Sequence, residues 1–543
     1  MRNITFLFLT FFAVLTAKQT ALSQTNPVSD TLRANSIHAR IQSNGALFVG
    51  GTNGYFLAPP VLGAAPSVSL IKSAGLWMGG KDPAGNLRLS AQMYNENGKS
   101  DYAPGTLSST GAPYPEFNLV AGINSDEINA HIANPGSMLP AVYGWPGRGN
   151  QFFSNYHNFN LPIDPWWLDL AGYFDDNSNG NYDPFIGEYP SISARGCPQQ
   201  NYADDMLWTV FNDALPHTQS GGLPLNMEVQ TQVLGLHCPE GSPADRTIYV
   251  IYKMTNRDTV PLDSCYFGVF LDVEIGNGGD DFIGSMPNKR VVFAYNGDAT
   301  DEGGFESTPP VLGIDLLRGP FDPVSETEVE QWQFVTVNEA GLTSPEAYYH
   351  LLAGRDTDGT PFPNNGILYD GDPLNPAGWS EVTAGNTPGE RKVLASFGPF
   401  NLLPGAINEL IFGFAWVRKY PNGNVADNLS ILGATMSEVQ GIYDNCFELF
   451  PGCPAAVSVV DPENPSPLVV SPNPFADLIQ VESKGATLQT LTLWDVTGRM
   501  LQERSLEGQH QATLPTGNLP TGIYLLQVRC ADGSVFTHKL THE

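Results

Sequence analysis

The stretch Asp175-Asp176-Asn177-Ser178-Asn179-Gly180-Asn181-Tyr182-Asp183 has the residue types and spacing of a calcium loop. Asp175, Asn177, Asn179, Gly180 and Asp183 fall at positions 1, 3, 5, 6 and 9 of such a loop, and Asn181 offers its backbone carbonyl at position 7. Oxygen donors at alternate positions let a chain wrap a hard cation, and Gly180 supplies the sharp turn. Position 12 is Ile186 rather than the expected Glu, which leaves Glu188 as the substitute carboxylate. Pro184 and Pro190 exclude the flanking helices of an EF-hand. The same residues also suit a solvated Asn/Asp/Gly turn that needs no metal.

A second acidic group is Asp272, Glu274, Asp280 and Asp281, followed by Asp298, Asp301 and Glu302. Like charges this dense require a cation or raised pKa values if their loops converge. Asp280, Asp281 and Asp298 are the candidate ligands of a second calcium site. A pair among Asp272, Glu274, Asp280, Asp281 and Asp298 is the candidate machinery of a polysaccharide hydrolase, which needs two carboxyls about 5–9.5 Å apart. A solvated acidic rim is the plainer alternative. Trp145, Trp166, Trp167 and Tyr173 suit stacking on sugars, or the core.

Other matches fail. Gly75 to Lys81 fits a phosphate-loop pattern, but Asp82 stands where the magnesium-binding Ser/Thr belongs. There is no His-Glu-x-x-His, no Gly-x-Ser-x-Gly, and the nine His lack metal spacing. No catalytic residue is therefore assigned. The reading leans away from an enzyme.

The elements that must position these residues are mainly strands. Met227–Leu236, Thr247–Thr255, Ser264–Val273, Lys392–Phe397 and Glu409–Val417 are rich in Val, Ile, Tyr and Phe. Asp427 to Phe447 has Leu429, Leu432, Met436, Val439 and Tyr443 at helical spacing, with Asp427 as its N-cap. Residues 37–194 read as strand-poor and loop-rich. The expected organisation is a leader at 1–23, a β-rich body at 24–456 with a sub-boundary near 195–225, a proline-rich linker at 457–467, and a C-terminal domain at 468–543.

Composition narrows the function. There are 26 Lys plus Arg against 56 Asp plus Glu, a net charge of −30. That excludes nucleic acid and anionic membranes as partners and favours divalent cations. With 56 Gly, 44 Pro and only 15% charged residues, the chain suits short strands and long turns, not helical bundles. Arg2, the apolar run Ile4–Ala17 and Ala21-Leu22-Ser23 form a secretory signal. No other apolar run reaches the about 18 residues of a membrane span. Six Cys fit an oxidising compartment. Cys446 and Cys453, close in sequence around Pro451-Gly452, are expected to form a local disulfide, and two of Cys197, Cys238 and Cys265 to pair.

The tail carries four ordered blocks: Ser471-Pro472-Asn473-Pro474-Phe475, Leu493-Trp494-Asp495-Val496-Thr497-Gly498-Arg499, Leu519-Pro520-Thr521-Gly522-Ile523-Tyr524-Leu525-Leu526, and His538-Lys539-Leu540. Tyr524, Leu526 and Val528 alternate with their neighbours as a strand does, and Met500–Leu506 returns as the second arm of a hairpin. This tail resembles the type A C-terminal sorting domain of the type IX secretion system of Bacteroidota. The resemblance implies a small immunoglobulin-like β-sandwich, recognition by the secretion machinery, and delivery to the outer face of the outer membrane or beyond. Several body segments, among them Gly75–Gly80, Tyr182-Asp183-Pro184, Asp280–Gly284 and Phe397–Phe400, resemble a recurrent group of secreted Bacteroidota proteins. That resemblance implies export and no particular activity. The expectation for the whole is a mainly β exported protein. Its loop-heavy body has one C-terminal-side helix and acts as a calcium-supported binding or adhesion module for surface glycans.

Overall fold

The computed structural model describes residues 26–448 and 468–542, apart from 34–35, 62, 96–97, 109–110, 162–169, 240, 420–422, 473–474, 485–486, 496–498, 518 and 532–534. The leader Met1–Ser23, the linker 457–467, Cys453, Trp166, Trp167 and the turn Val496-Thr497-Gly498 lie outside the described residues.

The body is built on two antiparallel sheets. In chain order its strands are β1 (Ser29–Leu32), β2 (His38–Gln42), β3 (Phe56–Ala58), β4 (Val68–Lys81), β5 (Leu87–Ala91), β6 (Ala103–Pro104), β7 (Val120–Asn124), β8 (Asp205–Asn212), β9 (Met227–Gly235) and β10 (Thr247–Asn256). There follow β11 (Leu262–Val273), β12 (Asp281–Met286), β13 (Val291–Asn296), β14 (Val311–Arg318), β15 (Phe321–Asp322), β16 (Thr327–Glu328), β17 (Trp332–Thr336), β18 (Lys392–Leu402) and β19 (Ile407–Val417). The first sheet runs β1-β2-β3-β4-β11-β18-β17, with β5 on β4; the second runs β12-β13-β14-β19-β10-β9-β8-β6, with β7 on β8. Strands from both sides of residues 195–225 share the second sheet, because β6 and β7 pair with β8.

The central strands are apolar on both faces. Ile248, Val250, Tyr252 and Met254 of β10, with Leu410, Phe412, Phe414 and Trp416 of β19, point into the core between the sheets. Val269 and Leu271 of β11 and Ala395 and Phe397 of β18 meet them from the first sheet. The intervening residues Tyr249, Ile251, Ile411, Ala415 and Val417 face outward, under a second core that includes Leu429, Leu432, Met436 and Val439. Those four lie on the helix Val425–Asp444, which packs across β14 and β19. The first sheet is covered in turn by the helix Pro345–Leu352, whose Tyr348, Leu351 and Leu352 meet Trp77 and Phe270.

The expected strands are present; Met227–Gly235 ends one residue early, and the others run one to five residues longer than expected. The long helix starts earlier than expected. Asn424, not Asp427, is its N-cap: the Asn424 side chain accepts from the Asp427 N–H at 2.9 Å, and Asp427 closes a capping box as the third helical residue. The strand-poor reading of residues 37–194 is corrected as well, since β2 to β7 lie there. The 14-residue β4 contains the Gly75–Lys81 stretch. Its glycines serve packing. A Cβ on Gly75 would sit 2.5 Å from the Gln92 carbonyl, and one on Gly80 would sit 2.7 Å from Cys265 Sγ.

A buried polar network joins the two sheets beside β5. Asp213 accepts from Ser90 Oγ at 2.5 Å and from the N–H groups of Leu225 and Met227. Asp101 accepts from the Ala91 and Gln219 N–H groups and from the Ser220 hydroxyl. His217 lies between them, its ring nitrogens 2.7 Å from the Leu89 carbonyl and 2.9 Å from the Asp213 carbonyl. The same two nitrogens lie 3.8 Å from the Asp101 and Asp213 carboxylates.

Cys446 pairs with Cys197, 249 residues away, at a Cα separation of 5.3 Å. This corrects the expected local pairing of Cys446 with Cys453. The helix Val425–Asp444 carries Cys446 to the second sheet's outer layer, beside Gly196. Cys238 is also disulfide-bonded, whereas Cys265 and Cys530 are free and buried.

The C-terminal unit is a sandwich of its own. A three-stranded sheet, β20 (Leu468–Ser471), β21 (Leu478–Ser483) and β24 (Gln511–Pro515), faces a four-stranded one. The latter holds β22 (Leu488–Asp495), β23 (Met500–Gln509), β25 (Gly522–Cys530) and β26 (Val535–His542). Phe475, Leu491, Leu493, Tyr524, Leu526 and Leu540 share one core, so the sequence blocks of the tail are the pieces that pack together.

Asp315 on β14 is fully buried, with one carboxylate oxygen unpartnered. Burial pushes its pKa up to about 8, partly opposed by Arg290 and Lys289. The fold therefore holds a proton that the unfolded chain releases near its ordinary carboxylate pKa. Its stabilising effect is complete below the unfolded value and is lost as pH rises toward about 8. Asp315→Asn should flatten this loss and, above that range, stabilise the body by about 1–3 kcal/mol. Urea unfolding of variant and parent on either side of the window checks it.

Candidate functional site

The Asp175–Asp183 stretch forms a loop closed at its base by a bridge between Tyr173 and Pro190, with the Phe174 N–H on the Tyr189 carbonyl. Asp175 accepts from the Asn179 N–H at 3.1 Å and from the Gly180 N–H at 2.8 Å. Asn177 accepts from the Asn179 N–H, and Asn179 from the Asn181 N–H. Gly180 has a φ of +73°, the left-handed turn that position requires. Asp183 caps the turn Pro184–Ile186 by accepting from the Phe185 N–H. Ile186 is exposed and turned away.

Glu188 takes the place behind the loop. It is fully buried and accepts the Asp183 N–H at 2.7 Å through one oxygen, with the Asn177 N–H also directed at the carboxylate; the other oxygen has no hydrogen-bond partner among the described residues. Burial, and then the nearby Asp175 and Asp183 carboxylates, raise its pKa. An orphaned carboxylate oxygen beside two further acids is the arrangement a cation relieves. Among the described residues no three His, Cys, Asp or Glu side chains are grouped to hold a metal ion. A cation here would therefore draw on amide and backbone oxygens too, a donor set that suits calcium and not zinc.

The second acidic group divides. Asp272 on β11 bonds the Tyr94 hydroxyl at 2.8 Å and lies 4.0 Å from Lys72, while Tyr94 also bonds Glu339. Burial pushes Asp272 up to about 6. Glu274 follows at the strand's end, its pKa raised by burial. Asp281 is fully buried at the start of β12, with one oxygen on the Ile275 N–H and the other unpartnered. Asp301 is satisfied by the N–H groups of Asn277, Gly303 and Phe305, which fixes two loops against each other. Burial, then Asp301, Glu302 and Asp298, push Asp280 up to about 6. Asp298 is exposed and shapes its own turn through the Thr300 N–H. None of these carboxylates lines any of the described clefts.

The calcium-type loop, by contrast, borders a cleft of about 580 Å³. Its floor is the outer face of the second sheet, where Lys253 of β10 stands opposite Glu409 of β19. One wall is Ala171 to Asp175, and the other is the segment from Ser191 to Gln199. Gln232 of β9 docks that second wall by accepting the Ser193 N–H and donating to the Ser191 carbonyl, each at 2.9 Å. The disulfide of Cys197 anchors its far end. Tyr173 is half-buried at the rim, 5.3 Å from the ring of Tyr182. Trp145 is fully buried in the outer core and is no sugar platform.

A second, broader cleft of about 800 Å³ lies over the first sheet, with Tyr266, Tyr349, Glu346, His350 and Arg355 in its lining. Its two tyrosine rings meet edge to face at 5.7 Å. Sequence reading reached the first cleft only through Asp175, Gly180 and Tyr173; the other lining residues of both clefts are scattered along the chain and only sheet pairing gathers them.

Comparisons with known proteins fall along the same division. Residues 469–542 match the family described as the secretion system C-terminal sorting domain. The chain is thus a type IX secretion cargo whose C-terminal domain engages the secretion machinery and directs export to the cell surface or beyond. No helix among the described residues is long and apolar enough to cross a membrane. No curated protein matches the chain. Solved structures give partial likenesses, three of which follow. An immunoglobulin-like β-sandwich protein from Bacteroides vulgatus is 18% identical over 14% of this chain and 86% of its own, with a TM-score of 0.13. A polysaccharide lyase is 10% identical over 58% of this chain and 34% of its own, with a TM-score of 0.18. The BSP domain of a biofilm-associated protein is 7% identical over 62% and 60%, with a TM-score of 0.13. TM-scores this low say nothing of what the body binds.

Replacing Cys197 by Ser should cost about 2–5 kcal/mol and free the wall of the smaller cleft. The expected result is a lower melting temperature, with faster amide exchange at residues 191–199 than elsewhere in the body. Uniform exchange with unchanged melting would show that the disulfide does not hold this wall.

Proposed function

We propose that this type IX cargo displays, on the outer face of the outer membrane, a non-enzymatic binding module whose working cleft is supported by calcium. The observation that carries this reading is Glu188: a buried carboxylate with an unpartnered oxygen, set directly behind a loop with calcium-ligand spacing that forms part of a cleft rim. Calcium would draw on Asp175, Asn177, Asn179, the Asn181 carbonyl and Asp183, with Glu188 in the place of the missing twelfth ligand. Asp280, Asp281 and Asp298 are the proposed second site, where the unpartnered oxygen of buried Asp281 has the same need. The open, polar cleft with Tyr173 at its edge suits surface glycans better than small apolar ligands. Paired-carboxylate hydrolysis is less well supported, since the acids it would use do not line the described clefts.

Calcium titration by calorimetry, with melting in calcium and in chelator, tests this. Calcium at about 100 times its dissociation constant should stabilise the body by about 2.7 kcal/mol. Glu188→Gln should lose most of that gain while melting higher than the parent in chelator, because it removes a buried charge. No heat of binding and identical melting curves would reduce the loop to a polar turn.

A further inference from the structure

The smaller cleft has the opposite charge character to the chain around it. The protein carries a net charge of −30, yet three cations, Arg148, Arg195 and Lys253, line this cleft against two acids, Asp175 and Glu409. Both acids are already engaged. Glu409 accepts the Arg195 N–H and is paired with Arg318 at 3.0 Å. Asp175 accepts two loop N–H groups and belongs to the proposed calcium loop. Arg148 is half-buried, and its guanidinium has no hydrogen-bond or ion-pair partner among the described residues. Arg195 holds Glu328 at 3.1 Å, but both side chains are about 40% exposed, so the pair is readily exchanged for another anion.

An unpaired guanidinium is a planar fork suited to bidentate oxyanions. The walls add the hydroxyl groups of Ser191 and Ser193, and Tyr173 offers a half-buried ring face at the rim. Sugars are bound by such rings and polar groups together. We infer that this cleft binds an acidic saccharide, with the oxyanion of the sugar held by Arg148 and its ring lying against Tyr173. The inference rests on the binding role proposed above and gives that role a ligand class. Carboxylated and sulfated sugars present the same oxyanion chemistry, so the two are separated by experiment.

The test uses the full exported chain with calcium present. Calorimetry would compare a uronic-acid oligosaccharide, a sulfated oligosaccharide and a neutral oligosaccharide of equal length. The expected result is binding of one or both acidic oligomers that weakens with salt, with the neutral oligomer at least about tenfold weaker. Arg148→Ala should weaken the acidic oligomer by at least about tenfold, Arg148→Lys should restore part of it, and Lys99→Ala, an exposed cation elsewhere, should change nothing. Melting curves confirm that each variant is folded, as expected for an arginine that holds no other residue. Equal affinity for neutral and acidic oligomers, or an Arg148→Ala variant that binds like the parent, overturns the inference and leaves the binding role standing. No binding of any of the three overturns both.

Discussion

The second sheet of the body is covered on both faces, and most of what is distinctive in this molecule follows from that. An exposed antiparallel sheet alternates apolar and polar residues; this one cannot. β9, β10 and β19 place apolar side chains alternately into the core between the sheets and into the outer core. The outer face then needs a lid of its own. The helix Val425–Asp444 covers one part of it, and the mostly irregular segments 139–161 and 170–203 cover another. Cover made of loops has backbone groups to satisfy, so side chains on the sheet must reach out and hold it. Gln232 does this for the 191–193 segment. Within the loop layer itself, Tyr182 and Trp145 donate to the carbonyls of Val142 and Gly172.

A cover of two pieces leaves a seam, and the smaller cleft lies where the loop layer leaves the sheet bare. There the polar pair Lys253 and Glu409 replaces the apolar residues found farther along the same strands. The disulfide crosses between the two pieces of cover. The same economy appears between the two sheets. There His217 and two buried aspartates, rather than apolar contact, set the distance between the β8–β9 connection and β5.

What could be read from the sequence follows the same physics. The five strong strands were legible because each is a dense run of β-branched and aromatic residues. The sorting domain was legible because its blocks recur in order and its strands alternate. β4 was not, because Gly75, Gly79 and Gly80 carry no side chain to report burial; their role shows only when Gln92, Leu89 and Cys265 are seen against them. The helix cap was misplaced by three residues because Asp427 and Asn424 are both good caps, and tertiary position chooses between them. The Asp175–Asp183 loop was visible because its residues are contiguous. Arg148, Lys253 and Glu409 were invisible as a group, since nothing local connects residues brought together by strand pairing. The Cys197–Cys446 bridge was missed for the same reason: proximity in sequence favoured Cys453.

The bridge between Cys197 and Cys446 also makes most of the body into a covalent ring. Every strand from β8 to β19, and both clefts' sheet residues on them, lie inside it. A protease that cuts any surface loop within that ring produces two pieces that remain attached and stay in register. Outside the cell, where peptidases are plentiful and no chaperone repairs damage, such a molecule tolerates nicks. It keeps its sheet, and the floor of its cleft, after an intact backbone has been lost.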